Sequence, residues 1–145
     1  MRTDLPNLND LLTFGFKECG YWTIQKIPTF RLNENSISNV LYAFATEEYV
    51  GYIGKSEGNL KKRLIKGYES INNLVYKGIC QNIENLVDVI ILYYNPESVT
   101  YMNIAIDIIS GLEIPLAKKF KSQWNNQGYG MIDRVVDDIK QQIGI

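Results

Sequence analysis

Two phenols, a lysine and an arginine fall in a pattern suited to phosphate chemistry: Tyr42, then Tyr52 and Lys55, then Arg63. The runs 39–45 and 49–55 are rich in aromatic and aliphatic residues and flank the short polar triplet Thr46-Glu47-Glu48, so they read as a β-hairpin. Centring the turn on Glu47 sets Tyr42 opposite Tyr52, Phe44 opposite Val50 and Val40 opposite Gly54, with the two phenols side by side on one face. Leu41, Ala43, Gly51 and Ile53 take the other face, where they suit packing under a helix. Gly54 leaves the backbone open to an approaching ligand. Arg63 follows in a stretch where Leu60, Leu64, Tyr68 and Ile71 recur at helical spacing, with Lys61, Lys62 and Lys66 on the outer faces. From Lys55 to Lys66 five basic residues meet one acid, Glu57, for a local charge of +4. Lys62 and Lys66 stand one turn apart and repel, a strain that an anion between them relieves.

Hydrolysing a phosphodiester takes an activated water, positive charge on the equatorial oxygens and a stabiliser for the leaving alkoxide. The chain contains no histidine, which leaves a carboxylate, a lysine or a phenol as the base. A phenol with its ordinary pKa near 10 serves only where a cation favours its ionised form, and Lys55 or a metal-bound water beside Tyr42 would supply that field. Tyr42 is therefore the candidate base. The guanidinium of Arg63 forms a fixed fork of donors that matches two phosphate oxygens and stays charged at any working pH. Each group alone has a plainer reading. Aromatic pairs are common across hairpins, and a basic helix face usually just meets water.

Order and spacing together resemble the GIY-YIG nuclease superfamily. Val40-Leu41-Tyr42 stands where the first motif would be, Tyr52-Ile53-Gly54 is the second motif intact, and Arg63 lies in the next helix. Leu112-Glu113, followed by Trp124-Asn125 with Asn125 twelve residues after Glu113, looks like the two later elements. The resemblance runs over roughly 39–128 and is closest in spacing to small stand-alone members. It implies an α/β fold with a small mixed, largely antiparallel sheet flanked by helices, and a DNA endonuclease. It also implies Tyr42 as base with Tyr52 in support, Arg63 on the phosphate, Glu113 on a metal ion and Asn125 in a supporting role. A single hard carboxylate with open water positions favours Mg²⁺ or Mn²⁺ over zinc or calcium; Asn125 would then orient Glu113 or a metal-bound water. One position departs from the pattern. Many members carry histidine or tyrosine four residues after the arginine, where this chain has Gly67, and Tyr68 lies about 140° around a helix from Arg63.

The elements that must position these groups can be read from periodicity. Residues 1–38 form an extension outside the resemblance: Leu8 to Phe16 reads as a helix capped near Asn7 or Asn9, and Tyr21 to Arg31 as an added strand interrupted by Pro28. This extension would complete the sheet edge, make a subunit contact or read DNA. Residues 71–85 read as a helix and Val87 to Tyr94 as a buried central strand. Met102 to Ser110 reads as a helix, bent at Gly111 and resumed through Phe120, a bend that would position Glu113. Residues 129–145 carry an apolar stripe, Ile132, Val135, Val136, Ile139 and Ile143, for a terminal amphipathic helix.

The 145 residues, 46% of them hydrophobic, suffice for one core, so a single domain spanning 1–145 is expected. A net charge of −1 and a pI near 5.5 exclude DNA binding through overall basicity. Contacts would come from Lys55, Lys61, Lys62 and Lys66 and from Lys118, Lys119 and Lys121, and would be salt-sensitive. Cys19 and Cys80 have no paired spacing and read as free thiols in a reducing compartment. Neither a signal peptide nor a membrane span is visible. The expected protein is thus cytoplasmic, a restriction-like or phage-type endonuclease with DNA as partner and a homodimer as an option. A non-catalytic nucleic-acid-binding or regulatory module on the same fold is the alternative.

Overall fold

Asn7 starts the first helix. Its side chain accepts hydrogen bonds from the backbone N–H groups of Asn9 and Asp10, and the Asp10 carboxylate accepts from Asn7 N–H. This capping box begins α1 (Leu8–Phe14) at the expected residue, and Gly15, at φ 131°, ends it. The computed structural model describes residues 5–24, 28–67 and 74–125; the expected helix over 129–145 lies outside them.

The stretch expected as one interrupted strand is two: β1 (Lys17–Ile24) and β2 (Pro28–Leu32) pair antiparallel. Pro28, which has no N–H to donate, is accommodated at the start of an edge strand. Next come β3 (Ser38–Ala45), β4 (Val50–Asn59), α2 (Leu60–Gly67), α3 (Leu74–Glu84) and β5 (Ile90–Tyr94). The five strands form one sheet in the order β2-β1-β5-β3-β4. All four pairings are antiparallel, so the sheet is not mixed. β5, the apolar run read as the central strand, is the middle of the five. The N-terminal extension contributes the sheet's other half rather than a separate appendage.

Two cores lie on the two faces. On one, Val40, Tyr42 and Phe44 of β3 pack with Trp22, Leu60 and Leu64 of α2, Val75 and Ile79 of α3, and Trp124. On the other, Leu41, Ala43, Ala45 and Ile53 pack with Leu11, Phe16 and the buried stripe of α4 (Ile108–Lys119), which comprises Ile109, Leu116 and Ala117, and with Phe120 just beyond it. Alternating side chains of β3 thus serve both cores, which is why this strand is buried along most of its length.

The stretch 102–110 departs from expectation. Its first part is a hairpin, β6 (Val99–Tyr101) and β7 (Ile104–Ile106), joined through Met102 and Asn103 at φ 50° and 65°. Two consecutive left-handed residues make the mirror-image turn whose twist matches a hairpin, and the β-branched flanks favour strand over helix. Asp107 then caps α4, accepting from Ser110 N–H, and the helix runs without a break through Gly111 and Pro115. No break at Gly111 positions Glu113; a continuous helix does. Pro115 lacks the N–H that would bond the Gly111 carbonyl, and a side chain at Gly111 would meet open space.

Candidate active site

The β3–β4 turn decides where the phenols stand. Thr46 Oγ1 accepts from Glu48 N and Tyr49 N, and Thr46 N–H donates to the Tyr49 carbonyl at 2.9 Å. The turn is therefore centred between Glu47 and Glu48, one step beyond the expected centre on Glu47. A bulge adds a second step: Ala45 pairs Val50 but Phe44 pairs Tyr52, leaving Gly51 as the extra residue. Tyr42 consequently faces Gly54, not Tyr52, and Phe44 faces Tyr52, not Val50. Two steps restore the parity of the strand, so both phenols keep one face. They meet diagonally, ring centroids 5.8 Å apart, with Phe44 stacked on Tyr52 at 5.7 Å.

Gly54 has a reason other than ligand access. A Cβ there would lie 2.6 Å from Tyr52 Cε2 and 2.8 Å from the Tyr42 hydroxyl. The phenols themselves fill the space, and glycine is what lets them converge on β4. Tyr42 is fully buried and Tyr52 is half-buried, so solvent reaches the pair from Tyr52's side.

Lys55 lies on the other face of β4. Its Nζ donates to Ser110 Oγ at 2.9 Å and pairs with Glu57 at 3.5 Å. It thereby ties β4 to the first turn of α4, beside Asp107. The backbone N–H of Ser110 holds the Asp107 carboxyl below its usual range, and the Lys55 charge adds to this. Glu113 follows Ser110 by one helical turn and is half-buried. It forms no hydrogen bond or ion pair with another described residue. No group of three or more acidic, cysteine or histidine side chains among the described residues is placed to hold a metal. A single carboxylate leaves most of a cation's coordination to water, which a hard cation such as Mg²⁺ tolerates.

Arg63 projects outward from α2 with Lys61 and Lys62. That helix begins where Asn59 Oδ1 accepts from Lys62 N, and Leu60 and Leu64 seat it on the phenols' face. The side chain of Lys66 and all of Tyr68 lie outside the described residues. Lys118, Lys119 and Lys121 sit elsewhere, at the far end of α4, where the helix dipole favours cations. About 13 Å of helix separates them from Ser110. That end borders an open cleft of about 660 Å³ lined by Pro6, Phe14, Lys119 and Phe120, remote from the phenols.

Trp124 and Asn125 act on β4. Past Phe120 the chain wraps this edge strand: Gln123 N–H and Trp124 N–H donate to the carbonyls of Val50 and Gly51. The Trp124 ring fills slots left by Gly51 and Gly78, each too close to the indole for any Cβ, and meets Tyr49 edge-on. The Asn125 amide is engaged twice by one residue, accepting from Ile53 N–H at 3.1 Å and donating to the Ile53 carbonyl at 2.8 Å. It holds the backbone between Tyr52 and Gly54, rather than orienting Glu113. Ser110 and Gly78 escaped the sequence reading, and Gly51, expected to pack under a helix, meets the Trp124 ring instead. An Asp-x-x-Ser capping pattern at 107–110 was the available signal for the first.

No described helix is long and apolar enough to cross a membrane. By sequence, no family model and no curated protein matches the chain. By structure, the chain is similar to a mutant of bacteriophage T4 EndoII, a GIY-YIG nuclease, with a TM-score of 0.64 at 21% identity over 82% of this chain and 98% of that one. At that identity the likeness is one of fold, and its extent exceeds what 39–128 alone would supply. The fold is thus GIY-YIG-like, including part of what the sequence reading set apart as an extension.

Proposed function

We propose that the protein is a metal-dependent DNA endonuclease that hydrolyses phosphodiester bonds, with a restriction-like or phage-type role. What supports this reading is the convergence of Tyr42 and Tyr52 over Gly54 on a GIY-YIG-like fold, with Arg63 on the adjoining helix. Hairpin aromatics as such do not require a glycine kept clear for two hydroxyl-bearing rings.

In this reading the scissile phosphate sits at the rim of edge strand β4, where Tyr52 and Gly54 alternate with Lys55. Water enters on Tyr52's side, and Tyr42, acting in its ionised form and supported by Tyr52, takes its proton and becomes the neutral phenol. Arg63 holds equatorial oxygens through its fork of donors, with Lys61 and Lys62 tracking the flanking backbone. Lys55, fixed by Ser110, adds positive charge. Asn125 keeps the Tyr52-Ile53-Gly54 backbone in place. Glu113 would hold Mg²⁺ or Mn²⁺, which supplies Lewis-acid charge and an acidified water when bound.

Supercoiled plasmid incubated with Mg²⁺ or Mn²⁺, beside EDTA and the Glu113→Ala variant, tests this. The expected result is nicking or linearisation that EDTA and the variant abolish, while folding and salt-sensitive DNA retention persist. Retention without cutting in either metal would make the protein a DNA-binding module on this fold. No retention even at low salt would remove nucleic acid altogether.

A further inference from the structure

Lys55 stands where a charge of its sign is out of place. Its Nζ donates to Ser110 Oγ at 2.9 Å, and Ser110 lies in the first turn of α4. The N-terminus of a helix is the positive end of its dipole, where an acid is stabilising and a cation is not. Asp107 supplies the acid, its Oδ1 accepting from Ser110 N–H at 3.1 Å. Stability alone would leave the ammonium in water, because an exposed pair such as that with Glu57 at 3.5 Å contributes little. Instead the ammonium is drawn to a neutral hydroxyl, which takes up one of its three donors and none of its charge. A side chain otherwise free to sample many rotamers is thereby fixed between β4 and α4. Glu113 follows Ser110 by three residues, about 4.5 Å along the helix axis and about 60° around it, so the hydroxyl that holds Lys55 and the carboxylate share one side of α4.

We propose, resting on the endonuclease reading above, that Ser110 is a positioning residue, which holds the Lys55 ammonium beside the Glu113 side of the site so that its charge meets the scissile phosphate. The phenols and α2, the helix that carries Arg63, lie on one face of β4, whereas Lys55 and α4 lie on the other. A phosphate at the rim of this edge strand meets Glu113 on the second side, and that carboxylate by itself would set a negative charge against an anion. Lys55 is the cation that the first turn of α4 brings there, since Lys118 and Lys119 stand at the helix's other end. A carboxylate in place of Ser110 would hold the lysine more tightly but would cancel the charge the phosphate needs. Glu57, 67% exposed, can give way to a phosphate oxygen while Ser110 keeps the ammonium in place. Ser110 itself cannot shift without breaking the Asp107 cap of its helix.

Plasmid cleavage at saturating Mg²⁺, measured as a rate against DNA concentration, tests this on the full-length wild type, Ser110→Ala, Ser110→Thr, Lys55→Ala and the double variant Ser110→Ala/Lys55→Ala. Ser110→Ala is expected to lower the rate at saturating DNA by about 10–100-fold, up to the loss that a misplaced group causes, while the DNA concentration for half-maximal rate and the thermal transition stay near those of the wild type. Ser110→Thr keeps a hydroxyl and should recover most of the rate. In the Lys55→Ala background, Ser110→Ala should bring no further loss, because a group that acts through Lys55 then has nothing to position. Losses that multiply would overturn the proposal by giving Ser110 an effect of its own, and so would a Ser110→Thr variant as slow as Ser110→Ala. A wild-type rate in Ser110→Ala overturns it alone and leaves the endonuclease reading intact, whereas a wild type that cuts in neither Mg²⁺ nor Mn²⁺ removes both.

Discussion

Replacing Asn125 with alanine separates a group that holds β4 from one that tunes a metal. The side chain makes two hydrogen bonds to one backbone unit, 3.1 Å from Ile53 N and 2.8 Å from Ile53 O, at a position only 8% exposed. Truncation leaves both Ile53 groups without these partners, and each buried, unsatisfied group costs about 1–3 kcal/mol. Since β4 is an edge strand that water can partly reach, the lower half of that range applies, for a total of about 2–4 kcal/mol. A domain of this size loses about 2–4 °C of Tm per kcal/mol, so the transition should fall by roughly 4–15 °C. Thermal unfolding by circular dichroism reads the loss. Plasmid cleavage, titrated with Mg²⁺ well below the variant's Tm, reads the metal dependence, which should stay at its wild-type midpoint. The opposite pattern, an unchanged Tm with a raised Mg²⁺ requirement, would refute the reasoning and return Asn125 to Glu113 or its metal.

Other outcomes follow from the same geometry. Gly54→Ala places a methyl among the Tyr42 and Tyr52 rings, so cleavage should fall at least 100-fold, on the order expected for a misplaced catalytic group, while Tm drops by only a few degrees; parallel losses would mean the rings serve packing alone. Tyr42→Phe should lower the cleavage rate much further than Tyr52→Phe, with both variants folded; the reverse order would move the base to the half-exposed phenol. Arg63→Ala should slow cleavage by about 10²–10³-fold, the scale of a lost transition-state donor, with salt-dependent DNA binding only modestly weakened; a mild effect on rate would assign the phosphate to another cation. Burial pushes the Cys19 thiol from about 9 up to about 12, with Glu34 adding to the shift. Its folded pKa is raised, so the stability it contributes is present below pH 9 and is lost as pH climbs from 9 toward 12. Cys19→Ala should flatten that part of the stability profile measured by urea unfolding, and an unaltered profile would place the alkaline loss in other groups.

Local chemistry is legible in sequence, and so its products were foreseen. The cap near Asn7, the Leu60 and Leu64 stripe and the apolar β5 run each depend on residues within a turn or a strand of one another. Parity on β3 and β4 was equally legible, because alternation survives a shift of two, and the two phenols share a face in either register. Four motifs in order pointed to the GIY-YIG-like fold for the same reason: their spacing is read along the chain, and the likeness of fold at 21% identity agrees with it. The register itself was not legible, since it followed from a threonine hydroxyl closing the turn and from a bulge at Gly51 that makes room for an indole seventy-three residues away. The hairpin at 99–106 was misread because short apolar runs fit a helix or a strand, and consecutive left-handed residues at Met102 and Asn103 settled the choice. Asn125 could be recognised as a member of a motif, but its partner could not, because only folding brings its amide against Ile53. Residue types and their order thus determined the fold and pointed to the chemistry proposed for it. The tertiary structure decided which backbone, ring or cation each group meets, because those encounters depend on packing between segments far apart in the chain.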